Sequence, residues 1–201
     1  MRLWHISRED CLQVFQHPDS VPAVDFHPKE DRCFLSGCFD NKVRLWDIPE
    51  GKVTSWAQTP VMITAATFNP SGTMAVVGLL NGQCTFYQTE RLNYYTQIEC
   101  RNQHGPLKGG RKVTGIEFAP GGKQLLVSTN DSRMRLFNID DYSRTCKYKG
   151  MVNDNLQIKG TFSQDGEHIV CGSENGHVYI WNTARCVENS SVRLIVPSTL
   201  F

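Results

Sequence analysis

His17, Ser36 and Asp40 are the residue types of a hydrolytic triad: a hydroxyl to attack, an imidazole to take its proton, a carboxylate to orient the ring. That chemistry needs all three to converge at an open site. No repeated segment of the chain brings an acid, a base and a nucleophile together outside the pattern described below. The stretch "GPLKGGRKVT" (105–114) imitates a phosphate-binding loop. It departs from one in two ways: Gly110 is followed by Arg111 rather than by Lys and Ser/Thr, and the residues after it read as a strand, so no helix N-terminus faces a phosphate. Two readings stay open for it. It is a solvated Gly-rich loop, or a basic loop that sets Lys108, Arg111 and Lys112 against an acidic protein patch or lipid headgroups.

Other chemistry-bearing residues point nowhere in particular. His5, His27, His104, His168 and His177 have no metal-ligand spacing, and His27 reads as a surface residue. Asp140-Asp141 reads as a charged turn. The eight cysteines are scattered without a CxxC pair, so reduced, buried thiols are expected. No metal and no cofactor is expected.

Composition narrows the classes further. The 201 residues carry 21 Lys+Arg against 20 Asp+Glu, a net charge of +1 that argues against a polyanion binder and hence against nucleic acid. The longest nearly apolar run, Met74 to Leu80, is far short of the ~18 residues of a membrane span. Met1-Arg2-Leu3-Trp4-His5 lacks the apolar core of a secretory signal, so a cytoplasmic protein is expected.

What must position any site is a repeat. The segments "CFLSGCFDNKVRLWDI", "MAVVGLLNGQCTFYQT", "LLVSTNDSRMRLFNID" and "HIVCGSENGHVYIWNT" each run from apolar residues through an Asn/Asp turn to an alternating stretch ending in an aromatic. Those aromatics are Trp46, Tyr87, Phe137 and Trp181; with Trp4 as a fifth copy the intervals are 42, 41, 50 and 44 residues. A second ladder, Phe26, Phe68, Phe118 and Phe162, leads the first by 20, 19, 19 and 19 residues. Period-2 alternation such as Val43-Arg44-Leu45-Trp46 predicts strands. "DN" (40–41), "NG" (81–82), "ND" (130–131) and "NG" (175–176) predict tight hairpins, and "NPSG", "APGG" and "SQDG" predict turns. The reading is all-β.

Four-stranded units every ~40–45 residues with a terminal aromatic match a β-propeller, and "SGCFDNKVRLWD" (36–47) resembles the motif of the WD-repeat family. The strings "HPKEDRCFLSGCFDNKVRLWDIP", "GGRKVTGIEF", "STNDSRMRLFN" and "QIKGTFSQDG" are similar to one subgroup, the rabphilin-like, Rab-GTPase-binding WD-repeat effectors of recycling endosomes with their fungal and plant relatives. The resemblance implies an incomplete propeller of about four and a half blades, each of four antiparallel strands lettered a to d from the inside out. Residues 1–17 supply strands c and d of a partial blade, 18–183 make four successive blades, and 184–201 form an off-pattern tail in which "SVRLIV" reads as one strand. The chain is expected to be a fragment of a propeller, unless the strands of 1–17 pair with the other end and close a small ring.

The resemblance also recasts the triad. It implies a structural clasp in which His17, Ser36, Asp40 and Trp46 are joined by hydrogen bonds, satisfying groups that burial would otherwise strand. Val77, Val127 and Cys171 replace the serine in the later blades, which are therefore expected to be held mostly by apolar packing. The residues before each b–c turn, Phe39, Leu80, Asn130 and Glu174, fall on the face that WD propellers use for protein docking. Phe39 and Leu80 are apolar there, so they either form a contact site or lie under neighbouring loops. Pro49 stands where ubiquitin-ligase receptors of the family carry Arg, so that role is not implied. In the subgroup the Rab-binding stretch lies upstream of the propeller, so Rab binding is not expected of these residues. The expectation is a non-catalytic scaffold for other proteins, linked by resemblance to vesicle traffic or small-GTPase assembly, with peripheral association to endosomal or Golgi membranes through its partners. The alternatives are a fragment without independent function and a propeller-housed hydrolase.

Overall fold

The computed structural model of the chain describes residues 1–101, 112–184 and the strand at 192–194. All regular structure among them is β. β1 (Arg2–Trp4) and β2 (Cys11–Val14) form a two-stranded sheet. Four sheets of four strands follow. They are β3 (Ala23–Phe26), β4 (Cys33–Gly37), β5 (Lys42–Asp47) and β6 (Lys52–Gln58); β7 (Ile63–Phe68), β8 (Met74–Leu79), β9 (Gln83–Gln88) and β10 (Asn93–Glu99); β11 (Val113–Phe118), β12 (Gln124–Thr129), β13 (Arg133–Asn138) and β14 (Arg144–Tyr148); and β15 (Gly160–Phe162), β16 (His168–Gly172), β17 (Val178–Asn182) and β18 (Val192–Leu194). Within each sheet the spatial order is the chain order. This is the strand plan of WD-type propeller blades.

The sequence dictates the strands at close range. In β5 the alternation Lys-Val-Arg-Leu sends Val43 and Leu45 into the core. β8 is apolar throughout, and its residues from Ala75 to Leu79 are all buried, as a middle strand covered on both faces must be. The outer strands β6 and β10 are mostly exposed. The b–c turns place Asn41, Gly82, Ser132 and Gly176 at φ of 63°, 84°, 58° and 77°. Asn and Gly enter that region at least cost, which is why these hairpins carry them. In the third blade the strained residue is Ser132, so the turn is Asp131-Ser132, one residue later than the expected Asn130-Asp131.

The chain forms two compact units, Met1–Leu79 with Thr85–Gln97, and Leu80–Cys84 with Ile98–Phe201. In the first, β3 and β4 pack against β7, and the space between holds Leu35, Val43, Ile63, Phe68 and Val77. A separate cluster of Phe15, Phe34 and Trp46 lies under Met1 and Leu3. In the second, β11 and β12 pack against β15 around Leu126, Met134, Leu136, Ile169 and Trp181. Inner strand against inner strand is the packing that successive blades require.

The later aromatic ladder is buried in all four blades: Trp46, Tyr87, Phe137 and Trp181 are 3–6 % exposed. Trp4, its fifth copy, is 52 % exposed, and Phe26 of the first ladder is 55 % exposed. β18 lies antiparallel to β17, so the fourth blade continues past residue 183 into the segment expected to be an off-pattern tail. Six described cysteines are free thiols. Cys146 departs from the expected reduced state: it is disulfide-bonded, which the scattered spacing gave no means to foresee.

Candidate functional site

The triad residues do not assemble into a triad. His17 Nδ1 lies 3.2 Å from the Phe15 carbonyl oxygen, so this nitrogen carries the proton and donates. Nε2 is then an acceptor, 2.8 Å from Ser36 Oγ, and accepts a hydrogen bond from the hydroxyl. The Trp46 indole N–H donates to the same Ser36 oxygen at 2.9 Å. Ser36 is fully buried, on β4. A serine–histidine pair at hydrogen-bond distance is thus present, but its hydroxyl is sealed from substrate and its lone pair is occupied. Phe15 and Phe34 box the indole, with Phe34 stacked on it at 5.9 Å.

Asp40 stands outside this trio, unlike the expected four-membered clasp. It accepts the Lys42 N–H at 3.1 Å and is forked by the Arg44 guanidinium, one arm of which donates at 3.1 Å. The cause is register. Arg44 pairs across the hairpin with Ser36 and reaches back over the turn, and a two-pronged cation outcompetes a neutral imidazole for a carboxylate.

The electrostatics follow. Burial strips water from the His17 ring and lowers its pKa below 6.5. The hydrogen bonds from Arg44 hold the Asp40 carboxyl at about 2, below its ordinary 3.8. Both folded-state values are depressed, so each group contributes stability that is complete above its unfolded value and is lost as pH falls through its folded one. The melting temperature should therefore decline in two windows: below pH 6.5 for His17, and from pH 3.8 towards 2 for Asp40. His17→Gln should flatten the first and Asp40→Asn shrink the second in thermal melts across that range. A flat first window would contradict the neutral His17.

The later blades are not held by apolar packing alone. In the third, Val127 takes the serine's register position opposite Arg135, yet Arg135 is completely buried and donates to both Asp131 and the Thr129 hydroxyl. One residue along, Ser128 Oγ accepts the Gly160 N–H at 3.0 Å. The fourth blade carries a neutral version, Asn175 Nδ2 to the Tyr179 hydroxyl at 3.0 Å. In the second, Asn81 Nδ2 bonds Gln83 Oε1 at 2.7 Å. The signal was legible as Asp-x-x-x-Arg in "DNKVR" and "DSRMR".

The docking-face residues meet different fates. Phe39 is half-buried, with its N–H on the Ser20 carbonyl. Leu80 is 42 % exposed. Asn130 Nδ2 donates to the Asp154 carbonyl at 3.2 Å. Glu174 Oε1 accepts the consecutive N–H groups of Asp154, Asn155 and Leu156 at 2.9, 2.7 and 2.8 Å, which holds its carboxyl below the usual range. Lys112 Nζ caps the Asn155 carbonyl at 3.3 Å. Asn130, Glu174 and Lys112 thus organise the 154–156 loop. Lys108 and Arg111 lie outside the described residues.

Sequence reading missed two ties between blades. Asp25 Oδ2 accepts the Thr67 hydroxyl and the Phe68 N–H at 2.8 and 2.9 Å. Glu117 Oε1 accepts the Thr161 hydroxyl and the Phe162 N–H at 2.6 and 2.9 Å. An acid before the ladder Phe in one blade and Thr before it in the next was the available signal. His27 is likewise no idle surface residue. Its Nδ1 accepts the Lys29 and Glu30 N–H groups, and its Nε2 donates to the Gly72 carbonyl at 3.0 Å. Among the described residues, Asp165, Glu167 and His168 bring donor atoms within 4.8 Å of one another. Asp165 Oδ1 is already bonded to Ser163 and to the Glu167 N–H, which makes this a turn-closing group.

Comparison with known proteins agrees with the blades. Residues 9–47 and 154–182 match the model described as WD domain, G-beta repeat. The chain is 53% identical over 187 residues to WD repeat-containing protein 44 of Xenopus laevis, covering 91% of this chain and 20% of that protein. It is 32% identical to an uncharacterized WD repeat-containing protein of Schizosaccharomyces pombe, over 100% of this chain and 36% of the relative. It is 26% identical to jouberin of Rattus norvegicus, over 90% of this chain and 18% of the relative. The chain therefore spans a minor part of the length of each. No helix among the described residues is long and apolar enough to cross a membrane.

Proposed function

Since the chain carries WD repeats, we propose that it is a non-catalytic scaffold that works by displaying loop surface to other proteins. One observation carries this reading: the candidate acid, base and nucleophile residues singled out from the sequence and described in the structure are spent on internal bonds, Ser36 on His17 and Trp46, Asp40 on Arg44, Glu174 on three backbone N–H groups. What the blades leave open is turn surface, where Leu80 stands exposed beside a polar turn, a position that favours contact. The likeness of the strings quoted above to rabphilin-like effectors supports a finer assignment to vesicle traffic or small-GTPase-linked assembly. A cytoplasmic protein that reaches endosomal or Golgi membranes through its partners fits that assignment.

A photo-crosslinking amino acid at position 80 of the full 201-residue chain should yield discrete protein adducts in a cell extract. Leu80→Glu should reduce recovery of the same partners about tenfold, the loss of one well-packed apolar anchor, with melting unchanged. Equal recovery by the variant would overturn the assignment of Leu80. Labelling of Ser36 by a fluorophosphonate probe would overturn the non-catalytic reading.

A further inference from the structure

Two of the free cysteines meet in the second blade. Cys84 lies on β9 and Cys100 directly follows β10, and both are fully buried. They are sixteen residues apart in the chain, yet their sulfurs stand 3.6 Å from each other, in van der Waals contact. β9 and β10 are neighbours in the sheet. The Cys100 N–H donates to the Gly82 carbonyl at 2.9 Å, which pins the end of β10 beside the start of β9. The other described free thiols face different partners. Cys11 Sγ lies against the Leu3 and Gln13 carbonyls and Cys38 Sγ against that of Asp19. Cys33 Sγ is near the Glu30 carboxylate, and Cys171 Sγ touches the Met151 thioether. A carbonyl, a carboxylate or a thioether cannot enter a disulfide, whereas a second thiol can.

The pair is quiet while the blade is closed. Burial, with the Cys100 sulfur against it, pushes the Cys84 thiol well above its ordinary 9.0, and the thiol is a far poorer nucleophile than the thiolate. Reaction therefore waits on local opening. β10 is the outermost strand of its sheet and mostly exposed, and such edge strands open at low cost.

We propose that Cys84 and Cys100 are a modification site, a dithiol that a peroxide converts into a reversible disulfide bracing β10 against β9. When the end of β10 opens, one thiolate attacks a peroxide oxygen and the O–O bond breaks. That sulfur becomes a sulfenic acid, and the departing hydroxide takes up a proton as water. The second thiolate then attacks the sulfenic sulfur and forms the S–S bond. The displaced hydroxide leaves as a second water with the second thiol's proton. Two thiols are oxidised to one disulfide and one peroxide is reduced to two waters. A dithiol reductant reverses the bond by exchange. The cross-link closes the β9–β10 hairpin covalently and removes freedom from the unfolded chain.

The test treats the native full chain with hydrogen peroxide, blocks the remaining thiols with iodoacetamide and digests with trypsin in the absence of reductant. Trypsin places Cys84 in the fragment 53–91 and Cys100 in the fragment 92–101, and neither fragment holds another cysteine. A joined species, two hydrogens lighter than the separate fragments together, is expected, and dithiothreitol should release both. Cys84→Ser and, as a second variant, Cys100→Ser should each abolish it. The oxidised wild type should melt several degrees above the reduced one. Three results would overturn the site: separate alkylated fragments while the half-buried Cys11 and Cys33 are oxidised, linkage of Cys100 to a different cysteine, or a cross-link that forms only in urea. A cross-linked chain that melts no higher would overturn the brace.

Discussion

Asp131→Ala is expected to lower stability by about 3–5 kcal/mol, the penalty of leaving a buried guanidinium without its counter-ion. Arg135 is completely buried on β13, and Asp131 shares its two guanidinium arms with the Thr129 hydroxyl. Burial opposes ionisation of Asp131, yet the hydrogen bonds from Arg135 outweigh it and the carboxyl stays below its ordinary pKa. Removing the acid strips the cation of that carboxylate and leaves the Thr129 hydroxyl, a neutral acceptor, beside it. The double variant Asp131→Ala with Arg135→Met should recover much of the loss, because it removes the orphaned charge as well as the pair. Urea denaturation of the wild type and both variants reads this directly. A single-variant loss below about 1 kcal/mol would show that solvent reaches Arg135 more readily than its burial allows.

Trp46→Ala should cost a similar amount, about 3–5 kcal/mol, for a different reason. The indole packs against both Phe15 and Phe34, which also touch each other, and its deletion opens a cavity that the rigid strands β4 and β5 cannot close. Trp46→Phe separates packing from polarity. It keeps a ring but removes the donor to Ser36, so a smaller loss of about 1–3 kcal/mol is expected. Asp40→Ala provides the contrast. Sequence reasoning made Asp40 part of the His17–Trp46 network, whereas the structure bonds it to Arg44. The variant should therefore destabilise the hairpin while leaving tryptophan fluorescence from Trp46 unaltered. A shifted Trp46 signal in Asp40→Ala would restore the four-membered clasp.

Trp46 and Asp131 show how far the chain can be read before it folds. Trp46 was legible as a strand-terminal aromatic because period-2 alternation and a constant interval are local properties, and local sterics turn them into strands and hairpins. Asp131 was legible as a turn residue. The Asp-x-x-x-Arg spacing offered its partner, but that spacing becomes a contact only when the hairpin register sets Arg135 opposite Val127. Glu174 marks the same boundary. By position it belonged to an exposed docking face, and it is consumed by a loop twenty residues earlier in the chain.

Order along the chain therefore determined the strands, the turns and the repeat. Their physics is decided within a few residues, by alternation and by which side chains tolerate positive φ. The tertiary structure alone decided which polar groups are spent and which are displayed, because a buried carboxylate or hydroxyl bonds to whatever donor the packing of sheets delivers, and that donor can lie forty residues away.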